Sequence, residues 1–350
     1  MGELSWKAEF FGNGRDRVGR FFCAVRHPST AAVALVLSGC MSAQTTPYPV
    51  DSNGLYSGEP VALHATEIPV TSAEEARMRA QVALAERDID LALYFYVRAA
   101  DLDLADAESF YAIGAIHAQR GNTDLAARAY ARVVELDTSH ALAHQGLGMA
   151  LFDAQQFSAA EENLSAAVDL DESLWRAHNT LGILADRDKR YDVAIEHYTV
   201  AIQFQPTLAP IRNNRGYSKY LAGDHEAAKV DFLAALRIDT RYERAWRNLG
   251  LIYAREQEYE RAMEAMTNAM EDYVALNDIG YVAMLDGDYG VAGVYLERAI
   301  VESPRHYQTA QDNLVELNRR RSSPITDAPM PDDLEFEVAR VDLVEEFEAQ

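Results

Sequence analysis

Small residues return along this chain on a fixed stride, set among apolar positions at helical spacing. Glycines stand at Gly114, Gly148, Gly182, Gly216 and Gly250, each 34 residues after the last, and Gly280 follows after 30. Twelve residues beyond each comes an alanine, namely Ala126, Ala160, Ala194, Ala228, Ala262 and Ala292, and seven further on stands another small or short-branched residue, from Val133 to Ala299. Self-similarity at this period signals stacked supersecondary units, so it takes precedence over any local motif. Apolar residues at helical spacing, broken by a short turn in mid-unit and another at its end, predict two antiparallel helices per unit. Where two axes come closest only a hydrogen or a methyl group fits, which accounts for the glycine and alanine. Tyr130, Tyr198, Phe232 and Met266, four residues past the alanine, fill the gaps that remain. Turn formers such as Asp137, Ser139, Pro206, Asp239 and Pro304 close the units.

With position 8 set on the glycine, position 4 is Phe110, His144, His178, Arg212, Trp246 and Leu276, and position 7 is Ile113, Leu147, Leu181, Arg215, Leu249 and Ile279. On these residues the chain resembles the tetratricopeptide (TPR) repeat family. The resemblance implies an all-α fold, a right-handed solenoid of about seven helix-turn-helix repeats plus a C-terminal capping helix. Ala80, Ala92, Tyr96 and Ala99 supply an earlier unit without the glycine, so the repeats run from about 73 to 306. Position 32 is proline only at Pro206 and Pro304. Arg212 and Arg215 are polar where the family is apolar, and the sixth unit, 243–272, is short, so its second helix must end early.

The segments flanking the repeats differ in composition. Arg20, Arg26 and His27 precede an apolar run, Ala31 to Leu37, too short to span a bilayer but suited to a signal-peptide core. Leu37, Ser38, Gly39 and Cys40 resemble the bacterial lipoprotein processing box. That resemblance implies that 1–39 is a lipoprotein signal segment, removed to leave Cys40 carrying a diacylglycerol and an N-acyl chain such as palmitate. Met41 and Ser42, with no aspartate after Cys40, imply sorting to the outer membrane, facing the periplasm. Three acyl chains at about 0.8 kcal/mol per buried methylene anchor a chain permanently. Cys23 leaves with the signal, so no disulfide forms within one mature chain. The leader before the signal is long, and translation starting at Val18 or Val25 would shorten it.

Residues 40–72 read as a lipid-anchored flexible tether, rich in Ser, Thr, Pro and Gly and spanning about 30 Å on average. Ser72 with Glu75 forms a capping box where the solenoid, 73–321, begins. Its last helix, Tyr307 to Arg321, puts Ala310, Leu314 and Leu317 on one face, as a cap over the final repeat. Residues 322–350 hold nine carboxylates against Arg340. Leu334, Val338, Val341, Val344 and Phe347 fit a helix there, while Leu334, Phe336 and Val338 fit a strand. This tail is either an acidic docking peptide or a disordered solubilising segment.

A formal charge of -23 argues against a nucleic-acid phosphate partner. No phosphate-binding glycine loop, nucleophile elbow or helical zinc motif is found, so neither an enzyme nor a cofactor is expected. His140 and His144, four apart, invite a metal reading, but the register sets His140 in a turn and His144 in a helix. His144 and His178 share packing position 4.

What remains is a surface. In the resembled family the first helices line the concave side, and the groove positions here are Arg176, Asn179, Asn213, Asn214, Tyr217, Tyr220, Arg244, Arg247, Asn248, Asn277 and Tyr281. Asparagine amides can pair a peptide backbone, arginine forks hold carboxylates, and tyrosine adds rigid area. Asn214, Asn248 and Arg244 match a TPR carboxylate clamp in part, but the clamp lysines are missing. The chain thus reads as a non-catalytic adaptor that binds protein or peptide partners. Residues 211–228 and 276–292 are similar to TPR lipoproteins of tight-adherence (Tad/Flp) pilus systems and to pilotins, which implies secretin or pilus assembly components as partners. An adaptor for cell-wall hydrolases is the alternative within the same class, and a metal-dependent enzyme on a TPR scaffold the one outside it.

Overall fold

The computed structural model describes residues 54–55 and 70–322. The signal segment, Cys40, most of the tether and the acidic tail lie outside the described residues. The described chain folds into helices with no strand: α1 (Ala73–Ala85), α2 (Ile89–Leu102), α3 (Ala107–Gln119), α4 (Thr123–Leu136), α5 (Ala141–Asp153), α6 (Phe157–Leu170), α7 (Trp175–Arg187) and α8 (Tyr191–Phe204), continuing with α9 (Ala209–Leu221), α10 (His225–Ile238), α11 (Glu243–Arg255), α12 (Tyr259–Met266), α13 (Asp272–Leu285), α14 (Tyr289–Glu302) and α15 (Gln308–Ser322). Successive pairs from α1/α2 to α13/α14 form seven hairpins, each packed on the next, and α15 closes the end. From α3 onward each odd helix also touches the odd helix of the following repeat, whereas each even helix packs on its partner and on the odd helix after it. Helices that approach one another from repeat to repeat lie on the inner side of a curved stack, so the odd helices line the concave face.

The spaced glycines mark the tightest contact within each hairpin. A Cβ added at Gly182 would stand 2.6 Å from Tyr198 Cε1, one at Gly148 would stand 2.6 Å from Leu164 Cγ, and one at Gly216 would stand 2.8 Å from Phe232 Cε1. In all six glycine-bearing repeats the obstructing side chain lies sixteen residues later, on the second helix, which adds Leu164 and Leu296 to the four large residues expected. Tyr130 is wedged further, its ring blocking Cβ positions at both Gly114 and Gly146, so it ties α4 to two odd helices. The recurring alanines are fully buried beside these contacts.

The turn inside each hairpin repeats as strictly. Arg87, Gly121, Gln155, Lys189, Gly223, Gln257 and Gly287 all have positive φ, on the same stride as the glycines of the packing contact. One residue later an N–H reaches back five residues, as from Asn122 to the His117 carbonyl at 2.9 Å and from Gln156 to the Leu151 carbonyl at 2.8 Å. This is the Schellman closure, which satisfies carbonyls that a helix end leaves orphaned. Four of the seven positions carry side chains in a conformation that costs an L-residue about 1–2 kcal/mol.

Both departures from the repeat pattern have physical accounts. Arg215, in place of an apolar residue, donates from Nε and Nη2 to both oxygens of Asp231 at 2.9 and 2.6 Å, and Lys219 adds a 2.7 Å contact. Asp231 is 1% exposed, so a buried carboxylate is balanced by two cations instead of an apolar contact. Arg212 donates to the Pro206 carbonyl at 3.5 Å, six residues back, in the manner of Trp246 to Thr240 at 2.9 Å and His144 Nε2 with Thr138 at 3.2 Å. In these three repeats position 4 is thus a polar tie to the turn between repeats. The second helix of the sixth unit does end early, since α12 has only eight residues.

At the ends, Ser72 Oγ accepts from the Glu75 N–H at 3.2 Å, but Glu75 reaches the N–H of Thr71 rather than that of Ser72. On α15, Ala310 and Leu317 are fully buried and Leu314 packs at their side, as a cap requires. The expected tether is not uniformly loose. Leu55 is 3% exposed and belongs to the apolar cluster built on α1 to α4.

Strain at these turns can be relieved or introduced by substitution. Gln155→Gly relieves the left-handed strain, less the 0.5–1 kcal/mol that glycine adds in unfolded-state entropy, and should raise stability by about 0.5–1 kcal/mol in chemical denaturation. Gly121→Ala, where open space surrounds the added methyl, should lower it by about 1 kcal/mol. A loss with Gln155→Gly would contradict the assignment.

Candidate functional site

The odd-helix face carries the predicted groove residues, in two layers. The asparagines form the lower one. Asn214 Nδ2 donates to Asn179 Oδ1 at 3.3 Å, Asn248 Nδ2 to Asn213 Oδ1 at 2.9 Å, and Asn313 Nδ2 to Asn277 Oδ1 at 2.9 Å. Between α11 and α13, where this ladder lapses, Arg247 faces Asp278 at 3.7 Å and Arg255 bonds Asp286 at 2.6 Å. Each pair of neighbouring odd helices from α7 to α15 is therefore joined by side-chain polar contacts.

This corrects the expectation that the amides of Asn179, Asn213, Asn214, Asn248 and Asn277 are presented to a peptide. All five are buried and enter bonds within the solenoid. Arg176 is buried too, with its guanidinium 4.3 Å from the Trp175 ring centroid. The upper layer consists of the half-buried Tyr217, Tyr220, Arg244, Arg247 and Tyr281, where side-chain surface remains open to solvent. Tyr220 is stacked on His225, with ring centroids 5.0 Å apart.

Beneath Tyr217 lies a group that reading the sequence did not single out. Asp186, 7% exposed at the end of α7, accepts from the Tyr198 hydroxyl and the Ser218 hydroxyl, both at 2.9 Å and both on one oxygen. Its other oxygen is buried with no hydrogen-bond donor among the described residues. Burial pushes its carboxyl up to about 6, against the pull of the Ser218 and Tyr198 bonds. Burial likewise raises Asp278, against the attraction of Arg247.

The histidines are used structurally. His178 and His197 face each other through their Nδ1 atoms at 3.1 Å, so one donates and one accepts. Burial holds His178 below its usual range and, with His178 and Arg190 nearby, takes His197 to about 4, so the pair is neutral at physiological pH. His140 Nδ1 accepts from the Ala143 N–H at the start of α5, and His144 Nδ1 meets Asn163 Oδ1 at 3.1 Å. Among the described residues no three His, Cys, Asp or Glu side chains are grouped to hold a metal ion.

Family models of the tetratricopeptide repeat match residues 107–140, 146–209 and 243–271. Over those residues the helix pairs are TPR repeats, and the fold of the described chain is a TPR-type solenoid. A search among curated proteins finds no match. Among solved structures, MamA (residue 41 to the end) from Desulfovibrio magneticus RS-1 is similar at 24% identity over 49% of this chain and 96% of that one, with a TM-score of 0.45. PilF from Pseudomonas aeruginosa is similar at 23% identity over 61% and 98%, with a TM-score of 0.47. YrrB, described as a TPR protein with an unusual peptide-binding site, shares 19% identity over 56% and 95%, with a TM-score of 0.45.

The Asp186 environment within this TPR solenoid predicts a pH dependence. A carboxyl raised from about 3.9 to about 6 favours the folded state most below pH 4, and that contribution, about 3 kcal/mol at most, is lost as pH rises through 6. Asp186→Asn keeps an acceptor for Tyr198 and Ser218 without the buried charge. It should raise stability by about 1–3 kcal/mol at pH 8 and change it little at pH 4, as read from denaturation at the two values. An equal effect at both would contradict a buried, titrating carboxylate.

Proposed function

We propose that this chain is a non-catalytic scaffold, anchored to the outer membrane through Cys40 and facing the periplasm, that holds a partner's extended peptide on its concave face. The observation that carries the reading is the layering of that face. The buried asparagine ladder stiffens the stack, while Tyr217, Tyr220, Arg244, Arg247 and Tyr281 stay half-buried above it. The tyrosines, of which Tyr220 is held by stacking on His225, supply contact area at little entropic cost, and arginines give the face its affinity for carboxylates. An otherwise acidic protein with cations on this face favours an acidic or C-terminal peptide over a basic one. Assembly of a secretin or pilus of the tight-adherence kind is the setting that fits a lipid-anchored TPR chain with the motifs at 211–228 and 276–292.

Two variants test the two halves of the reading. Arg244→Glu combined with Tyr281→Ala should reduce partner capture, in crosslinking pull-downs from solubilised membranes, by at least about tenfold, the scale of one lost interface anchor. Helicity should be unchanged, and undiminished capture would count against the concave face. Cys40→Ser should shift the chain from the membrane to the soluble fraction, and a variant still sedimenting with outer membranes would count against the anchor.

A further inference from the structure

We propose that the turn end of the second repeat is a peptide-docking slot, distinct from the concave face and filled in cis by Gly54 and Leu55, which latches the N-terminal segment to the solenoid. Two successive main-chain carbonyls are read there by two side chains of one repeat. His117 Nε2 lies 2.6 Å from the Leu55 carbonyl oxygen, and Arg128 Nη1 donates to the Gly54 carbonyl at 3.3 Å. Since a carbonyl only accepts, His117 carries its proton on Nε2, and Nδ1 is left to accept from Asn122 Nδ2 at 3.3 Å. Gly54 has φ +61, the left-handed conformation glycine enters without strain, and the turn delivers the Leu55 side chain into the apolar cluster.

Two features argue that the slot is built for this ligand. His117 is fully buried in the last turn of α3. An imidazole N–H at that depth without an acceptor would carry the full desolvation penalty of an unpaired donor, so the site is complete only when a carbonyl occupies it. The pair is also peculiar to this repeat. The positions equivalent to His117 hold Leu151, Ala185, Lys219 and Tyr253, and those equivalent to Arg128 hold Glu162, Glu196, Val230 and Glu264. The ligand class follows from the contacts, a segment that turns at a left-handed glycine followed by leucine and presents both carbonyls to one repeat.

The latch changes where the solenoid is held. Tension applied upstream of residue 54 is delivered to α3 and α4 in the second repeat, not to α1. With Cys40 as the anchor, only residues 41–53 lie between membrane and latch, a reach of at most about 50 Å.

The test uses the full chain and a labelled peptide of residues 50–60. In fluorescence anisotropy the peptide should bind Leu55→Asp, whose slot is vacated, at least tenfold more tightly than it binds wild type. Adding His117→Ala to Leu55→Asp should abolish the difference. No binding to Leu55→Asp, or binding indifferent to His117→Ala, would overturn the proposal. Arg128→Ala changes an exposed side chain and leaves the core intact, so it serves if Leu55→Asp fails to fold. It should speed hydrogen exchange at Gly54 and Leu55 at least tenfold while exchange in α9 to α14 stays constant. Unchanged exchange at those two amides would equally overturn the latch.

Discussion

The closeness of the two helices within each repeat is the constraint on which everything else rests. It exists because glycine on the first helix leaves room for a bulky side chain sixteen residues later, from Tyr130 on Gly114 to Leu296 on Gly280. A contact this tight orients the hairpin, and the fixed orientation, repeated, sets how each odd helix meets the next. Interiors packed at crystal density transmit such a constraint rather than absorbing it. The asparagine ladder depends on it in turn, because a 2.9 Å bond such as Asn248 to Asn213 forms only where successive repeats advance by a constant step.

The concave face is consequently more polar below its surface than a packed interior usually is. Asn213, Asn214, Asn248, Asp186 and Ser218 are buried on the odd helices that line it. Buried polar groups are costly unless paired, and most of those on this face are. Atoms there with no hydrogen bond among the described residues include one oxygen of Asp186, the amide nitrogen of Asn213 and one oxygen of Asp278. A stack joined by directional bonds resists sliding between repeats in a way that an apolar seam does not, which suits a surface meant to hold an extended ligand in register.

Much of this was legible in the sequence, and the reasons differ by feature. The stride of Gly148, Gly182 and Gly216 specified the hairpins and their number, because steric exclusion leaves a direct mark on residue type. The shortness of α12 followed from the four residues missing in the sixth unit. The left-handed turn positions were concealed, since Arg87, Gln155, Lys189 and Gln257 carry no glycine signature. Gly121, Gly223 and Gly287 nonetheless fall in the same register and could have revealed it. The asparagines were placed on the correct face but assigned to a ligand. The 35-residue spacing of Asn179 to Asn214, and of Asn213 to Asn248, held the clue that they meet one another. Asp186 and Leu55 had no pattern to betray them. A lone carboxylate on a helix and a lone leucine in a polar stretch look the same whether buried or not, and only tertiary contacts decide.

A double-mutant cycle at Gly148 and Leu164 measures the glycine contact. Alone, Gly148→Ala should cost about 1–3 kcal/mol from overpacking, despite the roughly 1 kcal/mol that alanine gains over glycine inside a helix. In a Leu164→Ala background the side-chain clash is gone and only the Leu164 backbone nitrogen, 3.1 Å from the added methyl, remains close, so the same change should cost much less, giving a coupling energy above about 1 kcal/mol. Effects that add within about 0.5 kcal/mol would show that the two helices do not meet there, and would contradict the packing from which the concave face is built.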